Sequence, residues 1–137
     1  MNKVVYDQEM MGIINLLSRL TKARIKDCFK EEDNFYCVVA KGDIGKAIGK
    51  GGETIKKIQN TINKKIKFIE FDESVVKFVK NAIHPFKVDD IVEKEGSVEI
   101  ICEDRRVKGL LIGRSRSNLD LLNRTVKRFF NVEVKVV

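Results

Sequence analysis

The sequence is poor in the residues that build metal centres and disulfide scaffolds. It has one histidine, His84, and three cysteines, Cys28, Cys37 and Cys102, with no Cys-x-x-Cys pair. A zinc site needs a cluster of ligands, and none is spaced here to form one. The odd cysteine count, with each in an apolar stretch, reads as small buried hydrophobes in a reducing compartment. No apolar run approaches the roughly 20 residues of a membrane span. The N-terminus lacks the apolar core of a signal peptide. The expectation is a soluble, cytoplasmic protein with no cofactor, no metal, no membrane contact and no small-molecule substrate. Catalytic groupings are also missing. His84 stands just before a proline, no cysteine has a nearby base, and Asp89-Asp90 reads as the start of a strand. The chain is not expected to be an enzyme.

What is present is a core and an excess of positive charge. Of 137 residues, 43% are apolar and 34% charged, with 27 Lys and Arg against 20 Asp and Glu. The net charge of +7 and a pI near 9.4 suit a polyanionic partner. The charge is clustered. Residues 41–67 hold eight lysines against Asp43 and Glu53, and residues 105–128 hold eight basic side chains against Asp120. These segments carry +6 and +7, so the rest of the chain is negative by six. A solvated helix face mixes its signs, whereas two one-signed segments suit two surfaces that follow phosphates.

Hydrophobic spacing predicts an element order that occurs twice. Met10, Ile13, Ile14, Leu17 and Leu20 give a helix over 8–20. Strands at 24–29 and 35–40 flank a Glu31-Glu32-Asp33-Asn34 turn and form a hairpin. A short helical piece over 43–48 follows, with Asp43 as its cap. Ile55, Ile58 and Ile62 mark another helix, and Ile66 and Phe68 a strand. The order restarts near Asp72: a helix at 74–83 stopped by Pro85, strands at 88–92 and 97–102, a helical piece at 106–112, a helix through Leu119, Leu122 and Val126, and a strand through Val132, Val134 and Val136. An offset of 64 aligns the central parts, placing Gly45 on Gly109, Ile48 on Ile112, Gly49 on Gly113 and Lys50 on Arg114. This internal repeat implies two domains, 1–71 and 72–137. No Pro/Gly/Ser-rich linker separates them, so close packing is expected.

Both repeats centre on a glycine turn. In the first it reads Ile48-Gly49-Lys50-Gly51-Gly52-Glu53-Thr54-Ile55. Glycine accepts unusual backbone angles and lets a ligand approach the main chain. Ile48 and Ile55 predict that both flanks are packed. A helix starting near Gly52 would present amide groups and a positive dipole end to a phosphate, with Lys50 beside it. Such a pocket recognises backbone charge and leaves base discrimination to an adjoining apolar groove. The stretch is not a Walker A loop, because only three residues separate Gly45 from Gly49 and Gly51 stands where a hydroxyl residue is needed. A dinucleotide fingerprint would require glycine at Thr54.

The Ile-Gly-x-x-Gly-x-x-Ile signature at 48–55 resembles that of K-homology (KH) domains. The two repeats, nearly linkerless in a short chain, are similar to the archaeal NusA-like transcription factors. The resemblance implies an α/β (α+β) fold of two tandem type II KH domains, each a three-stranded mixed sheet covered by three helices. It implies single-stranded RNA lying between turn and sheet edge, and a role in transcription termination or antitermination on nascent RNA. RNA polymerase is a further candidate partner, although bacterial NusA proteins carry a polymerase-binding N-terminal domain and an S1 domain for which this chain has no room. The implied RNA contacts are Gly49, Lys50, Gly51 and Gly52, then Gly113, Arg114, Ser115 and Arg116. Ile48 completes the first motif. The basic side chains Lys46, Lys56, Lys57, Arg106 and Lys108 add electrostatic support. Arg116 replaces the last glycine of the second turn, so the second domain is expected to bind weakly or in a changed geometry. Two other readings remain: a KH protein of ribosome assembly or RNA processing, and a KH-fold protein-interaction module that has lost RNA binding.

Overall fold

The computed structural model describes residues 8–137. The chain divides into two compact units, the first ending at Phe71 and the second beginning at Asp72. Each is α+β with one three-stranded mixed sheet.

In the first unit, α1 (Gln8–Leu20) places Met10, Ile13 and Leu17 on one buried stripe. Lys30 Nζ ties the helix to the sheet through Glu9, 2.9 Å away. Strands β1 (Ile25–Glu31) and β2 (Asn34–Val39) form the expected antiparallel hairpin, and β3 (Lys65–Glu70) lies parallel to β2. The order β1-β2-β3 makes β2 central. A parallel neighbour requires a crossover. The segments α2 (Ile44–Ile48) and α3 (Glu53–Ile62) supply it and carry the glycine turn between them. Leu17, Phe35, Cys37, Ala47, Ile58, Ile66 and Phe68 share one core cluster. Each large side chain so buried contributes roughly 1.5–3 kcal/mol relative to exposure.

Asp43 does not cap α2 as its position suggests. Its carboxylate makes no capping bond. It is buried and turned inward, where Oδ2 accepts from the Arg24 amide at 2.7 Å and from Arg24 Nε at 3.0 Å. Capping would have left the Arg24 amide without this acceptor at the start of β1. The Arg24 guanidinium, helped by the Arg24 amide, holds the Asp43 carboxyl down at about 2, against 3.8 ordinarily. A carboxyl with a depressed folded-state pKa stabilises the fold above its unfolded pKa and loses that contribution as pH falls through the folded value. The first unit should therefore lose stability between about pH 4 and pH 2. Asp43→Asn should be less stable at pH 7 and show less of this acid loss, as read by chemical denaturation across pH.

The second unit repeats the plan with shifted boundaries. Its elements are α4 (Val75–Ile83), β4 (Asp90–Lys94), β5 (Ser97–Ile101), α5 (Arg105–Ile112), α6 (Ser117–Lys127) and β6 (Glu133–Val136). Ser74 caps α4 by accepting from the Lys77 amide. Asp104 caps α5 by accepting from the Arg106 and Val107 amides at 2.9 and 3.2 Å. Strand order is β4-β5-β6, again antiparallel then parallel. The offset of 64 holds from Glu53 to Ser117, where α3 and α6 begin, but β3 begins at Lys65 and β6 at Glu133. The extra residues put Phe129 and Phe130 against Phe78, with ring centroids 5.5 and 5.6 Å apart.

Amide side chains fasten each last strand to the preceding helix. Gln59 Oε1 accepts from the Ile66 amide at 3.1 Å. Asn123 accepts from the Val134 amide at 2.7 Å and donates to the Val134 carbonyl at 3.0 Å. Gln59 and Asn123 are related by the same offset of 64, so the repeat includes this polar link.

Candidate nucleic-acid interface

The first turn leaves α2 at Gly49 (φ 78°, ψ 169°). It passes through a short 3-10 segment, Lys50–Gly52, in which Gly51 has φ 61° and ψ 20°. Gly52, at φ 77° and ψ 14°, then opens α3. The second turn follows the same path. Gly113 has φ 74° and ψ 172°, Ser115 φ 53° and ψ 34°, and Arg116 φ 65° and ψ 17°. Its hydrogen bonds match too. The Gly49 and Gly113 amides donate to Gly45 and Gly109 carbonyls at 2.8 Å, and the Gly52 and Arg116 amides donate to Gly49 and Gly113 at 3.1 and 3.2 Å. The backbone path of the second turn is thus nearly the same despite the loss of its glycines. Left-handed angles cost an ordinary residue roughly 1–2 kcal/mol. Ser115 and Arg116 keep them because α5 and α6 fix both ends of the turn.

The four glycine positions are not equivalent. A Cβ on Gly49 would lie 2.8 Å from both the Cβ and the amide nitrogen of Thr54. One on Gly113 would lie 2.8 Å from Asn118 Cγ and 2.9 Å from its amide nitrogen. A Cβ on Gly51 would meet nothing within 4 Å, so that position faces open space. One on Gly52 would point back along α3, 3.8 Å from Ile55 Cγ2 and 3.9 Å from Lys56 Cε. By the shared backbone, Ser115 is the side chain at the mouth of the second turn. Arg116 starts back along α6, and its Nε lies 3.9 Å from Asp120. Ser115 thus holds the position that faces open space at Gly51 in the first turn.

In the first unit, Lys46, Ile48, Lys50, Gly51, Lys56 and Lys57 are exposed, and Gly49 and Gly52 half-buried. Ile48 is 37% exposed, so the expectation of a packed flank fails. The short α2 has one inward position near its end, and Ala47 occupies it, leaving Ile48 on the outer surface. In the second unit Leu111 is the buried residue, and Leu110 is 46% exposed. Each turn therefore has an apolar side chain at the surface beside it. Lys46 Nζ is 3.6 Å from Asp43 Oδ1. Lys56 and Lys57 line an open depression of about 480 Å³ on α3 with Glu53, Asn60 and Thr61.

Not all of the basic clusters lie at the turns. Lys64 pairs with Asp33 at 3.3 Å, and Lys67 is half-buried in β3, where burial lowers its pKa. Arg114, Ser115 and Arg116 are exposed, and Lys108 is half-buried. Arg106 sits at the start of α5, roughly 10 Å along the helix from Gly113 at 1.5 Å per residue. The structure therefore groups Lys108 and 113–116 more closely than it does Arg106. Thr54 and Asn118, which pack against the first glycine of each turn, escaped the sequence reading. Their shared repeat position was the available signal.

A separate cavity of about 530 Å³ in the second unit is lined by α4, the segment after it and the start of β4, and includes none of these residues. Among the described residues, no group of three or more His, Cys, Asp or Glu could hold a metal ion. No described helix is long and apolar enough to cross a membrane.

The KH domain family matches residues 35–81, from β2 through both helices of the turn and β3 into α4. Relatives extend the likeness to the rest of the chain. The probable transcription termination protein NusA of Methanococcus vannielii is 34% identical over 110 residues, 78% of this chain and 64% of that protein, so the match spans just under two thirds of that relative. The protein of the same name from Methanocaldococcus jannaschii is 30% identical over 141 residues, covering 100% of this chain and 77% of its own. That from Halococcus morrhuae is 28% identical over 133 residues, with 96% of each covered. The crystal structure of APE1850 matches with a TM-score of 0.71 at 26% identity, covering 96% of this chain and 99% of that one. The chain belongs to the family of archaeal proteins named probable transcription termination protein NusA.

Proposed function

We propose that the protein is a non-enzymatic, cytoplasmic RNA-binding transcription factor of the NusA type. Its two units, 1–71 and 72–137, are tandem type II KH domains. They hold single-stranded nascent RNA and influence termination or antitermination. The carrying observation is that one glycine turn, with nearly the same dihedral angles, occurs in both units beside exposed basic residues and an exposed apolar residue. Neither α3 nor α6 has a side-chain cap at its N-terminus. The Glu53 and Ser117 amides that open them donate to the Lys50 and Arg114 carbonyls, and the positive dipole end of each helix favours a phosphate beside the turn.

In this reading Gly49, Lys50, Gly51 and Gly52 clamp the RNA backbone in the first unit, with Lys46, Lys56 and Lys57 adding charge. Gly113, Arg114, Ser115 and Arg116 do so in the second, with Lys108 nearer the turn than Arg106. Ile48 and Leu110 provide apolar surface for unstacked bases. The first turn has the stronger grip, because its mouth is bare at Gly51. RNA polymerase is the proposed protein partner, tested by copurification of its subunits.

Binding should be strongly salt-dependent. On single strands log K falls with log salt at a slope of about −0.7 per phosphate neutralised. Titration of labelled single-stranded RNA at several salt concentrations should give a slope of about −2 or steeper, for three or more phosphates. A flat dependence would remove the electrostatic part of the mechanism. Absence of RNA binding would favour the protein-interaction module.

A further inference from the structure

We propose that Cys28 and Cys37 form an intramolecular disulfide site in the β1–β2 hairpin, closed by exchange with a small-molecule disulfide. The two residues are direct partners in the antiparallel register. Opposed antiparallel residues have Cα atoms about 4.5–5.5 Å apart, within the roughly 4.4–6.8 Å that a disulfide bridges. Both side chains lie in the same core cluster, and their sulfurs are 2.6 Å apart. The bond thus requires no backbone displacement. Both thiols are free here, as is that of Cys102. Cys102 has its own local partner, the Asp104 carbonyl at 3.5 Å.

The step balances with the oxidant named. One cysteine thiolate attacks the small disulfide and releases one small thiol, leaving a mixed disulfide. The second cysteine displaces the other small thiol. Two cysteine thiols lose two protons and two electrons, and the small disulfide is reduced to two thiols. The adjacent Cys28 thiol, together with burial, pushes the Cys37 thiol up. The closed hairpin is therefore slow to react, and exchange proceeds when the hairpin opens. The same burial then shields the bond from reductants. The glycine turn lies outside the linked loop, so RNA contact is left unchanged.

The test uses the full chain, incubated with glutathione disulfide just below its melting temperature, then denatured and alkylated. Mass spectrometry should find one alkylated cysteine, Cys102, and a peptide pair joined through Cys28 and Cys37. Cys102→Ser should then show no alkylation at all. The oxidised wild type should melt higher than the reduced one by on the order of 5 °C, and Cys28→Ser should show no such rise. Three alkylated cysteines, persistent glutathione adducts on Cys28 or Cys37, or a link through Cys102 would overturn the proposal.

Discussion

Replacing Lys50 and Gly51 by aspartates should abolish RNA binding and leave the fold standing. Lys50 is exposed at the mouth of the first turn, and a side chain at Gly51 enters open space. The left-handed angle at Gly51, φ 61°, is one that aspartate tolerates better than most residues. The chain itself holds a serine at the matching position, Ser115 at φ 53°. The cost to stability should therefore be about 1 kcal/mol. The effect on binding is far larger. One cation is lost and two anions appear where a phosphate would sit. A hydrogen bond to a charged group is worth roughly 1.5–3 kcal/mol, and repulsion adds to its loss, so affinity should fall on the order of 100-fold or more. Fluorescence anisotropy with single-stranded RNA measures the fall, and a thermal melt checks the fold. Undiminished affinity would sink the clamp assignment.

Gly49→Ala should do the reverse, damaging the fold first. The angles at Gly49, φ 78° and ψ 169°, lie in a region that is essentially glycine's alone. That strain costs about 1–3 kcal/mol. The added Cβ would also lie 2.8 Å from the Thr54 amide nitrogen, which belongs to the backbone of α3 and cannot swing away. Overpacking of this kind adds about 1–3 kcal/mol. A loss of roughly 2–6 kcal/mol is a large share of the roughly 5–15 kcal/mol that holds a typical protein folded. Gly113→Ala should do the same to the second unit through Asn118. Gly51→Ala should lose only about 1 kcal/mol, because it meets no neighbour. Urea denaturation of the three variants separates these expectations. A Gly49→Ala midpoint equal to that of Gly51→Ala would contradict the packing account.

The contrast explains a feature already visible in the sequence. Of the three glycines at 49, 51 and 52, only the first recurs in the second unit, as Gly113. Gly51 and Gly52 give way to Ser115 and Arg116, where a side chain has somewhere to go. The repeat thus marks which glycine the backbone requires.

Most of the architecture was legible because each element has its own period. The stripe of α1, the hairpin around Glu32 and Asp33, and the isoleucines of α3 follow from local spacing alone. What was hidden depends on contacts between elements. Asp43 stands at a cap position, but the amide that recruits it belongs to Arg24, nineteen residues earlier. Ile48 looked like a core residue because isoleucine usually is one; only the rotation of α2, set by Ala47, shows it facing out. The four-residue slip of β6 against the repeat became intelligible once Phe129 and Phe130 were seen against Phe78. At the site, the turn and its neighbouring lysines could be read directly. The direction of each Cβ could not: Ser115, and not Arg116, matches the open position of Gly51.

The central claim is that both glycine turns grip one class of ligand, single-stranded RNA. Ultraviolet crosslinking of the intact protein to single-stranded RNA, followed by mass spectrometric mapping of the modified peptides, tests it most directly. Crosslinks should fall on the turn segments around 46–57 and 108–116, more heavily on the first, and should disappear from the first in the Lys50→Asp, Gly51→Asp variant. Crosslinks confined to other surfaces, or unaltered in that variant, would contradict the account.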